Sequence, residues 1–283
     1  METREGAARV KKLGRMRTFS LLVVLSLVLT AGLAQADPGT VIFGASAKGS
    51  DTVFVAAARN GDQWLAQRDM GQLAGPQQYG HAWQLFGLTS TVDNVPGKGI
   101  KMTSSAAMVA KLSDRASISA LAVSGGSARQ PRTATLVKDA AVVDALTAWL
   151  RDKGVRLSKA RVTQSARVDL LGDGHPEWLV CGSSRDDIVN GNAKANPSDY
   201  SFAVMVWNDP KTSSLHIEPL HSETVGDRFV PSNLYEFVGV ADLDRSGHMS
   251  VALRARYFQG GRLDIWSYDG QRVSRGITNG WQL

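Results

Sequence analysis

Two stretches, DLLGDGHPEWLV at residues 169–180 and DLDRSGHMSVAL at residues 242–253, are built to one plan about 73 residues apart. Each opens on Asp after an apolar run, carries Gly at its sixth position (Gly174, Gly247) and His at its seventh (His175, His248), and continues into a second apolar run. A Trp-containing aromatic segment follows each copy, with Trp207 in one and Trp266 in the other. A loop repeated between apolar strands indicates one supersecondary unit used twice. That reading makes the fold mainly β.

On either side of these stretches, short β-branched and aromatic runs recur with turn residues between them. Thr40–Phe43, Thr52–Val55, Trp83–Leu88, Ile118–Val123, Arg161–Thr163, Trp178–Cys181, Phe202–Trp207, Leu215–Ile217, Phe237–Val240, Val251–Tyr257 and Leu263–Tyr268 all read as strands. Asn60-Gly61-Asp62 predicts a hairpin returning through Gln63–Ala66, and Asp269-Gly270 closes the last hairpin. Gly71–Gly80 and Val92–Gly99 read as loops, and Ser105–Leu112 fits helix or strand equally. The one helix spans 138–153. Its apolar residues Val142, Val143, Leu146, Trp149 and Leu150 share a face, Asp139 suits its first turn, and Gly154 ends it. The expected organisation is a leader at 1–36, a β-rich region at 37–123, a Gly/Pro-bearing linker at 124–137, and the helix with two repeat units at 138–283. Blades of ~40–50 residues would allow about five after the leader, yet only two loops are visible. An incomplete β-propeller-like or open β assembly of tandem units is therefore expected.

The two loops resemble the Asp-x-Asp-x-Asp-Gly loops of FG-GAP/VCBS-type repeats, found in integrin-α-like propellers and in uncharacterised exported bacterial proteins. The resemblance covers roughly 138–283. It implies a calcium ion held by loop carboxylates, since calcium takes several hard oxygens while Gly permits the sharp turn. The candidate metal residues are Asp169, Asp173 and Glu177 in the first loop, and Asp242, Asp244 and Ser246 in the second. Both loops depart from the pattern: Leu171 stands at position three of the first, Ser246 and Ser250 at positions five and nine of the second, and neither has an acid at position twelve. So few anionic ligands imply weak affinity, about 0.1–1 mM. With three acids against two, the first loop is the better candidate. The plainer account is that Asp, Ser and Gly simply make tight turns.

The amino-terminal segment predicts export. Six basic residues between Arg4 and Arg17 precede the apolar run Phe19–Leu33, and Ala34-Gln35-Ala36 offers a cleavage site before Asp37. Met16 is an alternative start. The run is shorter than the ~20 residues a spanning helix needs, so no membrane span is expected after cleavage. Residues 1–36 hold six basic and two acidic side chains of a total of 32 and 26, leaving 26 against 24. Near-neutrality gives no electrostatic case for nucleic acid. The lone Cys181 sits in an apolar run and is expected to be buried in a strand.

No zinc-ligand spacing, nucleophile elbow or phosphate loop is present. His216 and His221, near Glu218 and Glu223, are a weak metal pair. The polar stretch Asp186–Tyr200 reads as an exposed loop. The preferred reading is an exported, periplasmic or secreted, soluble binding or structural protein with a protein or glycan partner. The alternative is a secreted hydrolase using the acids of the repeat loops, with Asp169 and Glu177 as a carboxylate pair.

Overall fold

The computed structural model describes residues 40–60, 63–73, 79–103, 108–125, 134–186, 196–210, 212–224, 233–243, 246–258 and 260–282. The leader, residues 126–133 of the expected linker, residues 187–195 of the polar stretch, and Asp244 lie outside them. Residues 39–283 form one compact unit. It is mostly β, with one α-helix among the described residues.

The first seven strands are β1 (Thr40–Ser46), β2 (Thr52–Asn60), β3 (Gln63–Ala66), β4 (Ala82–Phe86), β5 (Thr91–Met102), β6 (Met108–Leu112) and β7 (Ala120–Ser124). They pair in the order β1-β7-β4-β5-β6-β2, and β1 also pairs β2, so six strands close into an antiparallel barrel with β3 appended to β2. Closure leaves no free edge within the ring. Ile42, Val53, Val55, Trp83, Leu85 and Ile100 belong to one cluster, while the alternate residues Phe43, Phe86, Leu121 and Val123 belong to another. That split is the period-two signature of a two-faced strand.

Val92–Gly99, expected as a loop, is instead part of the twelve-residue β5. Its turn residues are absorbed by irregularities: Asn94 takes φ 54°, and the register shifts between Trp83 and Leu85 on one side and between Gly97 and Ile100 on the other. Asn tolerates that conformation, and bulges accommodate residues that a regular ladder rejects. Met108–Leu112, ambiguous by pattern, is strand.

The remaining strands form two sheets. β8 (Thr135–Leu136), β9 (Val162–Val168), β10 (Glu177–Ser183), β11 (Tyr200–Asn208) and β12 (Leu215–Thr224) give the order β12-β11-β10-β9-β8. β13 (Leu234–Ala241), β14 (Ser250–Tyr257), β15 (Gly260–Tyr268) and β16 (Val273–Gln282) form a four-stranded meander. The sheets bury one face against each other through Leu179, Cys181, Met205, Phe237, Val251 and Leu253. The second sheet covers the barrel with its other face, through Val238, Ala252, Leu263 and Ile265. The approach is close: a Cβ at Gly239 would stand 2.0 Å from the Phe86 carbonyl oxygen. Only glycine fits there.

Helix α1 (Ala140–Asp152) covers the first sheet, setting Val142, Leu146 and Leu150 on Val180, Phe202 and Val204. Asp139 is its N-cap and accepts from the Ala141 and Val142 N–H groups at 3.0 and 3.4 Å. Gly154 follows at φ 83°. Sheets sandwiched in this way bury both faces, which is why β10 and β11 read as nearly unbroken apolar runs. Cys181 is buried in β10 and free.

Candidate functional site

The repeated loops each join the first and second strands of a four-stranded meander, β9 to β10 and β13 to β14. Two hydrogen bonds recur in both. The Gly174 N–H donates to Asp169 Oδ2 at 3.1 Å, and the Gly247 N–H donates to Asp242 Oδ2 at 3.0 Å. The His175 N–H donates to Asp173 Oδ1 at 2.8 Å, and the His248 N–H to Ser246 Oγ at 3.1 Å. Both glycines are left-handed, at φ 84° and 87°, where a side chain would be strained. The loops also touch, because the Met249 N–H donates to the Leu170 carbonyl at 3.0 Å.

The loops differ in how their carboxylates are used. In the first, Asp169 Oδ1 accepts from the Gly172 and Asp173 N–H groups at 2.5 and 3.1 Å. Glu177 is 3 % exposed, and its Oε2 accepts the Leu170 N–H at 2.9 Å. Burial raises the Glu177 carboxyl from 4.5 to about 7; the Leu170 bond opposes this, and the Asp173 and Asp169 charges add to it. In the second loop, Asp242 is 1 % exposed and commits Oδ2 to Gly247, while Oδ1 has no hydrogen-bond partner among the described residues. A buried carboxylate oxygen without a donor is costly. The first loop has more acids, but its oxygens are largely committed to main-chain N–H groups. Among the described residues no group of three or more His, Cys, Asp or Glu side chains stands ready to hold an ion.

The histidines proposed as a pair separate. His216 packs on the Trp207 ring at 4.3 Å and lies 3.4 Å from Glu218. His221 turns instead to Asp264 in the facing sheet, with Nε2 to Oδ2 at 2.7 Å. Asp264, fully buried, also accepts from Arg262 Nε at 3.0 Å and from Thr278 Oγ1 at 2.6 Å. Burial pushes this carboxyl up, but the hydrogen bonds from His221 and Thr278 and the Arg262 charge outweigh it and hold it below the ordinary range. Tyr235 stacks on the His221 ring at 5.2 Å and donates to Glu223 Oε1 at 2.7 Å. Burial and the Glu223 charge push the Tyr235 phenol up. This network clips β12 to β13, β15 and β16. The sequence signal for it was a lone Asp264 between Leu263 and Ile265, an acid inside an apolar strand.

A cavity of about 140 Å³, which sequence reasoning missed, lies between the second loop and the β15–β16 turn, with Ser250, Ser267 and Tyr268 in its walls. Its residues come from three strands and a loop, so no local spacing encodes it. No helix among the described residues is long and apolar enough to cross a membrane. Comparison with protein-family models, with curated proteins and with solved structures finds no match to this chain.

Proposed function

We propose that this chain is an exported binding or structural module built on two FG-GAP/VCBS-like units, with its second loop as a weak calcium seat. One observation carries the cation reading: Asp242 Oδ1 is a buried carboxylate oxygen with no donor among the described residues. A hard divalent cation would neutralise it and draw on the neighbouring loop oxygens. Asp242 would supply the anionic ligand. Ser246, whose Oγ already accepts the His248 N–H, flanks it, and Asp244 is the further acid that the sequence pattern offers. The leader pattern of residues 16–36 supports export, to a compartment where millimolar-range calcium sites matter.

The hydrolase alternative draws support from Glu177, whose raised carboxyl has the character of a general acid. Its 3 % exposure and its bond to Leu170 N–H argue for a structural role, because a catalytic acid must reach its substrate.

The test is a thermal melt of the chain from Asp37 in about 10 mM calcium against chelator. For a Kd of about 0.1–1 mM, linkage gives about 1.4–2.7 kcal/mol. A rise of about 3–10 °C is expected for a domain of this size. Asp242→Asn keeps an oxygen for Gly247 and should abolish the rise, whereas Asp169→Asn should leave it. No calcium-dependent shift in the parent protein sinks the reading.

A further inference from the structure

At the ninth loop position Glu177 fills the first loop, bonded to the Leu170 N–H. Ser250 occupies that position in the second loop, and the cavity of about 140 Å³ lies beside it. Its walls bring together Ser246, Ser250, Ser267, Tyr268, Asp269 and Ser274. The hydroxyls of Ser250, Ser267, Ser274 and Tyr268 make no side-chain hydrogen bond among the described residues. Ser250 and Tyr268 are only 3 % and 4 % exposed. Two of these hydroxyls belong to buried residues, where partners are the rule; with the half-buried Ser267 and the exposed Ser274 they leave four hydroxyls open to a ligand around one space.

Size and charge narrow its class. A cavity of about 150 Å³ admits a benzene ring, so this one receives part of a single sugar ring, whose remaining hydroxyls stay in solvent. Ser246, Asp269 and Ser274 are exposed, so the cavity is reached from solvent. Burial, then the Glu177, Asp173 and Asp269 charges, raise the Tyr268 phenol to about 12. The phenol is thus a neutral donor, and the Asp269 carboxylate in the cavity wall repels anions. The walls offer donors and acceptors in hydroxyl pairs, which match the vicinal hydroxyls of a sugar.

We infer that this cavity is a subsite for one neutral pyranose ring of a glycan, exchanging hydrogen bonds with Ser250, Ser267, Ser274 and Tyr268. The site shares Ser246 with the calcium reading but needs no cation.

The test is a ¹H–¹⁵N correlation titration of the chain from Asp37 with glucose, galactose, mannose, N-acetylglucosamine and glucuronate, each to about 50 mM. A single ring of this size binds with a Kd of about 1–10 mM. At least one neutral sugar should shift the amides of Ser250, Ser267, Tyr268 and Ser274 saturably, and glucuronate should bind at least about tenfold more weakly, from charge repulsion. Ser250→Val with Ser267→Val should weaken binding by about tenfold or more with a folded spectrum. Ser274→Ala, at an exposed position, gives a milder second variant with a loss of about threefold. Titrations in calcium and in chelator should agree. No saturable shift with any neutral sugar, glucuronate binding as tightly as glucose, or unchanged binding by both variants overturns the inference. None of these outcomes depends on whether calcium shifts the melt.

Discussion

Replacing Glu177 with Gln should remove a pH dependence that the fold itself imposes. The carboxyl is 3 % exposed, and its ordinary value of 4.5 is raised to about 7 by burial. A carboxyl that holds its proton more tightly when folded stabilises the fold fully below 4.5 and loses that contribution as pH rises through 7, because over this window the folded state binds more protons. At about 1.4 kcal/mol per tenfold change in proton concentration the ceiling is about 3 kcal/mol. Water entering near the half-buried Asp169 and the exposed Asp173 should screen this to about 1–2 kcal/mol. Gln is close to isosteric, keeps an acceptor for the Leu170 N–H, and does not titrate. Urea unfolding of both proteins at pH 4.5, 5.5, 6.5 and 7.5, in chelator to remove any divalent ion, isolates the term as a difference. The variant should gain about 1–2 kcal/mol on the parent between the lowest and highest pH. A difference flat with pH, or a parent that gains on the variant as pH rises, refutes the assignment of a buried, proton-retaining Glu177.

Other consequences are equally direct. Asp139→Ala removes the acceptor of the Ala141 and Val142 N–H groups and should cost about 1 kcal/mol in urea unfolding, with little change in the spectrum of the β sheets. Asp264→Ala leaves Arg262 and His221 without their shared acceptor and should cost about 3–5 kcal/mol at pH 7. Because the Asp264 carboxyl is held low, that difference should be present above its ordinary value of 3.8 and fade as pH falls beneath it. The Cys181 thiol, fully buried and pushed up by burial, should react with a thiol reagent only after unfolding; rapid reaction of the native protein would place it elsewhere.

Local pattern carried much of this architecture. Phe202–Trp207 and Trp178–Cys181 read as strands because both faces of their sheet are covered, and the Val142–Leu146–Leu150 stripe read as helix because only one face is. The pairing of Asp169 with Asp242 was also legible, since a main-chain turn of this kind needs its Asp and Gly at fixed spacing. Barrel closure was not: the β1–β2 and β1–β7 ladders depend on which strands meet, and no residue in Thr40–Ser46 announces two partners. Val92–Gly99 misled because Asn, Pro and Gly mark bulges as readily as loops. His221 and Asp264 lie 43 residues apart in facing sheets, so their contact has no expression in spacing.

The two loops share one main-chain scaffold and differ at their ninth position. The bonds from the sixth and seventh positions are the same in both, so the turn demands only an oxygen at positions one and five. Asp173 and Ser246 meet the second demand alike, which leaves position nine free to vary. Glu177 spends that freedom on filling its loop, tying the carboxyl to Leu170 and accepting a raised proton affinity. Ser250 leaves space, which the hydroxyls of Ser267 and Tyr268 border, while Asp242 nearby keeps one oxygen without a donor among the described residues. Exchanging the two residues separates scaffold from function. Ser250→Glu should close the cavity and end sugar binding while both turns persist, whereas Glu177→Ser should destabilise the first loop without creating a sugar site, because the serines and Tyr268 that wall the cavity line only the second.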